Sequence, residues 1–65
     1  MDSRSILDRL LKDGWIEIRQ RGSSLQLRHP TKPGLVTLPH PRRDVPVGAL
    51  RSIDKQAGLK LRRES

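Results

Sequence analysis

The sequence predicts an α+β fold, a two-layer sandwich with two helices on one face of a three-stranded antiparallel sheet. Three observations carry this reading. Apolar residues recur at helical spacing near both ends, at Ile6, Leu7, Leu10 and Leu11 and again at Val47, Leu50, Ile53 and Ala57. Between them, short segments alternate apolar with polar residues, the period of a half-buried strand. Glycines and prolines mark the turns that separate these segments.

In chain order, the first helix covers about residues 3–13, with Ser3 able to cap it and Gly14 to end it by turning left-handed. Trp15–Arg21 reads as a strand, with Ile16 and Ile18 on one face and Trp15, Glu17, Arg19 and Arg21 on the other. Gly22-Ser23 is a turn, after which Leu25, Leu27 and His29 alternate with Gln26 and Arg28 in a second strand. Pro30-Thr31-Lys32-Pro33-Gly34 is a second turn, and Leu35-Val36-Thr37-Leu38 a third strand stopped by Pro39. His40-Pro41-Arg42-Arg43-Asp44 is too polar and too proline-bound for an element interior. Pro46 suits the first turn of the last helix, which Gly58 ends. Residues 1–59 form the single expected domain, and 60–65 a charged, disordered tail. The order α-β-β-β-α is similar to that of double-stranded-RNA-binding domains.

At 65 residues, 32% of them apolar and Trp15 the sole aromatic, the core must be built from Leu, Ile and Val. Without cysteine, neither a disulfide framework nor a thiolate metal site is available, which fits a cytoplasmic protein. No apolar run approaches the ~20 residues that span a bilayer, so no membrane partner is expected. The net charge of +7 is unevenly placed. Residues 1–13 are neutral, and 14–43 carry six cations against Glu17 alone. Such an excess on a sheet and its following loop is either a solvated surface or a polyanion site.

His29 and His40 stand eleven residues apart with no carboxylate cluster, so no metal site is indicated and no cofactor is expected. Cleavage of RNA by general acid–base chemistry needs a proton acceptor, a proton donor and cations on the phosphate. Histidine suits both proton roles. His29 is a candidate, or else a strand residue hydrogen-bonded beside Pro30. His40, between two prolines, is either a turn residue or a substrate contact. Arg19, Arg21 and Arg28 reach phosphates if the open sheet face is the site, though the side of Arg28 depends on register. Trp15 either stacks on a base or packs in the core. The candidate RNA-contact set is Arg19, Arg21, Ser23, Arg28 and His40, with Ser23 otherwise a turn residue that bonds its own backbone.

Several marks coincide along the chain: the Ser3 helix, Gly14-Trp15, Arg19, Gly22-Ser23, Val36-Thr37-Leu38-Pro39-His40, Gly48-Ala49-Leu50-Arg51-Ser52-Ile53 and Lys55-Gln56-Ala57-Gly58-Leu59. Together they resemble the HicA (YcfA-like) toxins of type II toxin–antitoxin systems, over about residues 3–59. The resemblance implies ribosome-independent cleavage of messenger RNA and neutralisation by a HicB antitoxin that covers the active site. It also implies a catalytic histidine directly after the Gly-Ser pair, where this chain has Ser24. Serine does not titrate near neutrality, and losing a general acid or base lowers the rate by ~10²–10⁴-fold. Ser24 is either an engineered inactivating change or the mark of a degenerate natural toxin. The rival readings are a non-catalytic RNA-binding module of the same fold and a purely structural partner subunit.

Overall fold

The computed structural model describes residues 1–61, in the order α1 (Ser3–Lys12), β1 (Ile16–Arg21), β2 (Ser24–Arg28), β3 (Leu35–Pro39) and α2 (Val47–Ala57). The strands form one antiparallel sheet in the order β1-β2-β3. Both helices pack against β3, over the face that presents Leu25, Leu27, Val36 and Leu38. The α+β two-layer sandwich is thus the observed architecture. No helix among the described residues is long and apolar enough to cross a membrane.

Asp2, not Ser3, caps α1: its carboxylate accepts the Ser5 N–H at 3.0 Å. The Ser5 hydroxyl first, and this N–H after it, favour the ionised form and hold the Asp2 carboxyl below its ordinary range. Ser3 is the first helical residue and is buried, its hydroxyl being engaged by a distant loop. After Lys12 the chain turns through Gly14 (φ +105°), and Trp15 enters the core with 1% exposure. Trp15 therefore precedes β1 and takes no part in its alternation. Leu11, at the margin of the helical stripe, stays exposed.

The structure corrects the face assignment of β1. The register runs Ile16↔Arg28, Glu17↔Leu27, Arg19↔Gln26, Gln20↔Leu25 and Arg21↔Ser24, with a bulge between Glu17 and Arg19. Residues opposite one another share a face, so the extra residue, Ile18, reverses the parity of everything after it. Ile16 falls with Arg19 and Arg21 on the open face, while Glu17 and Gln20 lie on the helix side. All six residues of β1 are exposed, Ile16 at 57% and Ile18 at 47%. Neither isoleucine joins the core, because the helices cover β2 and β3 and leave this edge strand open.

Two further differences lie at the C-terminal end. Pro46 is the N-cap of α2, and Val47 is 54% exposed; Val45, one residue before the cap, takes the buried place. Gly58 closes α2 in the left-handed conformation, its N–H donating to the Asp54 carbonyl at 2.8 Å. The chain then folds back: the Leu61 N–H donates to Asp54 Oδ1 at 2.8 Å and the Leu61 side chain is buried. The core therefore runs past the expected boundary at 59. The rest of the expected tail, 62–65, lies outside the described residues.

Candidate nucleic-acid interface

The bulge gathers the cations of the sheet. Arg21 lies opposite Ser24, Arg19 opposite Gln26, and Arg28 opposite Ile16, so the three arginines and Ser24 share the open face. Arg28 thus joins the other two. Arg19, Arg21 and Arg28 have no ion-pair partner among the described residues. Ser24 opens the central strand, flanked by Arg21 on β1 and Pro39 on β3. At ~3.4 Å per residue, Arg28 lies roughly 14 Å along the same strand. A phosphate backbone laid across this face meets one cation beside Ser24 and two further along the sheet.

Ser23 stands in the β1–β2 turn, where Gly22 takes φ +58°. Its carbonyl accepts the His40 N–H at 2.9 Å, which ties the end of β3 to that turn. His40 follows Pro39, the partner of Ser24, so strand alternation turns it to the helix side. There its Nδ1 lies 2.8 Å from Ser3 Oγ. Ser3 Oγ also accepts the Arg42 N–H at 2.8 Å. A buried hydroxyl has one proton to donate, and the assignment that satisfies it gives that proton to His40 Nδ1. That assignment leaves Nε2 of His40 without a protein partner among the described residues. The structure brings Ser23, Ser24 and His40 to one end of the sheet, with Ser24 and His40 on opposite faces.

His29 is a structural residue. Its Nε2–H donates to the Asp13 carbonyl at 2.7 Å, and Nδ1 accepts the N–H groups of Thr31 (3.0 Å) and Lys32 (3.1 Å). With both ring nitrogens engaged by the protein and the ring in a T-shaped contact with Trp15 at 5.2 Å, neither nitrogen is free to meet a substrate. Asp13 completes this joint. Its carboxylate accepts from Lys32 Nζ at 2.6 Å and Trp15 Nε1 at 3.2 Å, and Lys32 also donates to the Ala57 carbonyl at the end of α2. The Lys32 ammonium, ahead of the other contacts, holds the Asp13 carboxyl below its ordinary range. Trp15, buried with its N–H engaged, is unavailable to stack on a base.

This geometry fits a known pattern of sequence. The family described as the HicA toxin of bacterial toxin–antitoxin systems matches residues 3–59. The chain belongs to the HicA toxin family. Four chains of solved structures also match it. One, described as the HicA3 and HicB3 toxin-antitoxin complex, is 36% identical, superposes with a TM-score of 0.81, and aligns over 95% of this chain and 100% of that one. No functionally curated protein matches. On the HicA scaffold, Arg42 and Arg43 of the loop already counted in the charge excess are joined by Arg4, which sequence reasoning missed, and the three help line a cleft of about 440 Å³ beside His40. No local pattern points to it, because the chain separates Arg4 from the other two by most of the domain.

Proposed function

We propose that this chain is the toxin subunit of a type II toxin–antitoxin pair, built as a messenger-RNA endoribonuclease and neutralised by a HicB-type antitoxin. The observation that carries the reading is the open face on which Arg19, Arg21 and Arg28 accompany position 24 of the central strand. Cleavage through the 2′-hydroxyl needs a group that removes its proton as the oxygen attacks phosphorus. Cations must stabilise the charge gathering on the phosphate oxygens. Arg21, directly across from position 24, suits the second role, and a histidine at 24 would suit the first.

With Ser24, the open face has no group that titrates near pH 7, so this form binds RNA and cleaves it weakly or not at all. His29 is locked by its hydrogen bonds, and His40 faces the helix side. That distribution favours one second reading, a non-catalytic RNA-binding role on the same face. The solved HicA3 and HicB3 complex supports the antitoxin as partner. Acidic groups of such an antitoxin would compete with RNA for the arginines, and its binding would raise the toxin's stability.

The test induces Ser24→His beside the present sequence and follows messenger-RNA cleavage and growth. Cleavage and arrest by the histidine form alone are expected. If both forms are folded and bind RNA but neither cleaves, the nuclease reading fails and the binding role takes its place.

A further inference from the structure

We infer that the cleft formed by Arg4, His40, Arg42 and Arg43 is a second phosphate subsite, which holds the RNA strand where it leaves the open face beside Ser24. This rests on the reading of the chain as an RNA-binding toxin and extends it to residues outside the sheet.

Three observations lead there. The first is charge. Three arginines, Arg4, Arg42 and Arg43, are among the residues that line one cleft of about 440 Å³, and the carboxylate that joins them, Asp2, already accepts the Ser5 N–H. Arg4 has a long, exposed contact of 3.9 Å with Asp8, of the kind that contributes little. Arg42 and Arg43 have no ion pair among the described residues, since neighbouring Asp44 faces the terminal ammonium at 3.5 Å.

The second is preorganisation. The loop that carries Arg42 and Arg43 is strapped to the start of α1 by backbone hydrogen bonds, Ser3 N–H to the Arg42 carbonyl at 2.8 Å and Val45 N–H to the Met1 carbonyl at 2.9 Å. The buried Ser3 hydroxyl adds a third strap by accepting the Arg42 N–H. The arginine stems therefore rise from a fixed backbone. Less ordering entropy is lost on binding than from a free loop. With Nδ1 occupied by Ser3, His40 has Nε2 left to meet a phosphate oxygen.

The third is continuity. His40 is one residue beyond the strand partner of Ser24, and its N–H is bonded to the Ser23 carbonyl. A strand crossing the open face past Arg21 thus meets the β1–β2 turn and then this cleft.

The experiment measures binding of a labelled 12-nucleotide single-stranded RNA to the full chain across a salt series. The variants are Arg42→Gln/Arg43→Gln and, separately, Arg19→Gln/Arg21→Gln, with thermal melts to establish folding. Each single-strand phosphate contact contributes about 0.7 to the slope of log affinity on log salt, so losing Arg42 and Arg43 should flatten it by about 1.4 and weaken binding about 25-fold at 0.1 M salt. If the open-face pair matters and the cleft pair does not, the subsite is refuted and the open-face reading stands. If neither pair matters, the RNA reading fails with it. Phosphorus NMR of added inorganic phosphate forms a further arm. Phosphate binding lost in the cleft variant while the RNA slope stays unchanged would make this a small-anion site and overturn the proposal.

Discussion

Replacing Gly14 by alanine should be among the most damaging single-methyl changes available to this fold. Gly14 adopts φ +105°, beyond the region that L-residues enter with ease, and the backbone alone costs about 1–2 kcal/mol. A β-carbon there would also lie 2.8 Å from His29 Nε2. The ring cannot retreat freely, because Thr31 and Lys32 hold its other nitrogen and Trp15 packs against it in a T-shaped contact. Displacing it weakens the bond to the Asp13 carbonyl, worth about 0.5–1.5 kcal/mol, and the edge-to-face contact, worth a similar amount. The total, about 2–5 kcal/mol, is a large part of the roughly 3–10 kcal/mol that a domain of this size possesses. Thermal melts followed by circular dichroism should fall by roughly 8–40 °C. A double-mutant cycle separates the two causes. With His29→Ala in the background the collision disappears, so the combined loss should be smaller than the sum of the single losses by about 1–3 kcal/mol. A Gly14→Ala melt within about 3 °C of the parent would refute the argument, as would strictly additive losses.

The Asp13–Lys32 pair predicts an acid-labile contribution to stability. Because the folded carboxyl titrates below its ordinary value of 3.8, the unfolded chain takes up the proton first. The contribution is complete above that value and is lost as pH falls through the lowered one. Urea midpoints measured against pH should show this loss in the parent and a shallower one in Lys32→Met; identical profiles would mean that the pair is not coupled to folding. Leu61→Ala should cost about 2 kcal/mol, because its side chain is buried against the core; an unchanged urea midpoint would return residue 61 to a solvated tail.

The elements were legible in the sequence because their signals are local: helical stripes, strand alternation, and turns written in glycine and proline. What could not be read there depends on distant partners. The bulge at Ile18 has no glycine to announce it, yet it alone decides that Arg19 and Arg21 join Arg28 rather than Glu17. Asp2 and Ser3 are both good caps, and the competition is settled by the loop that claims the Ser3 hydroxyl. Leu61 looked like part of a charged end because its partner, Asp54, lies back on α2. His29 and His40 look alike in the sequence. Only their hydrogen bonds separate a ring with both nitrogens engaged from one whose Nε2 has no protein partner among the described residues.

The exposure of β1 on both sides separates two kinds of constraint. No side chain of this strand fills core volume, so apart from Gln20, whose amide donates to the Gly22 and His40 carbonyls, its positions answer mainly to the backbone ladder with β2. Substitutions at such surface positions usually change stability by less than about 0.5 kcal/mol. Cation number and spacing can therefore drift along this strand while Leu25 and Leu27, on its neighbour, keep the fold intact. One edge of the sheet can thus be rewritten without disturbing the layer that folds the chain.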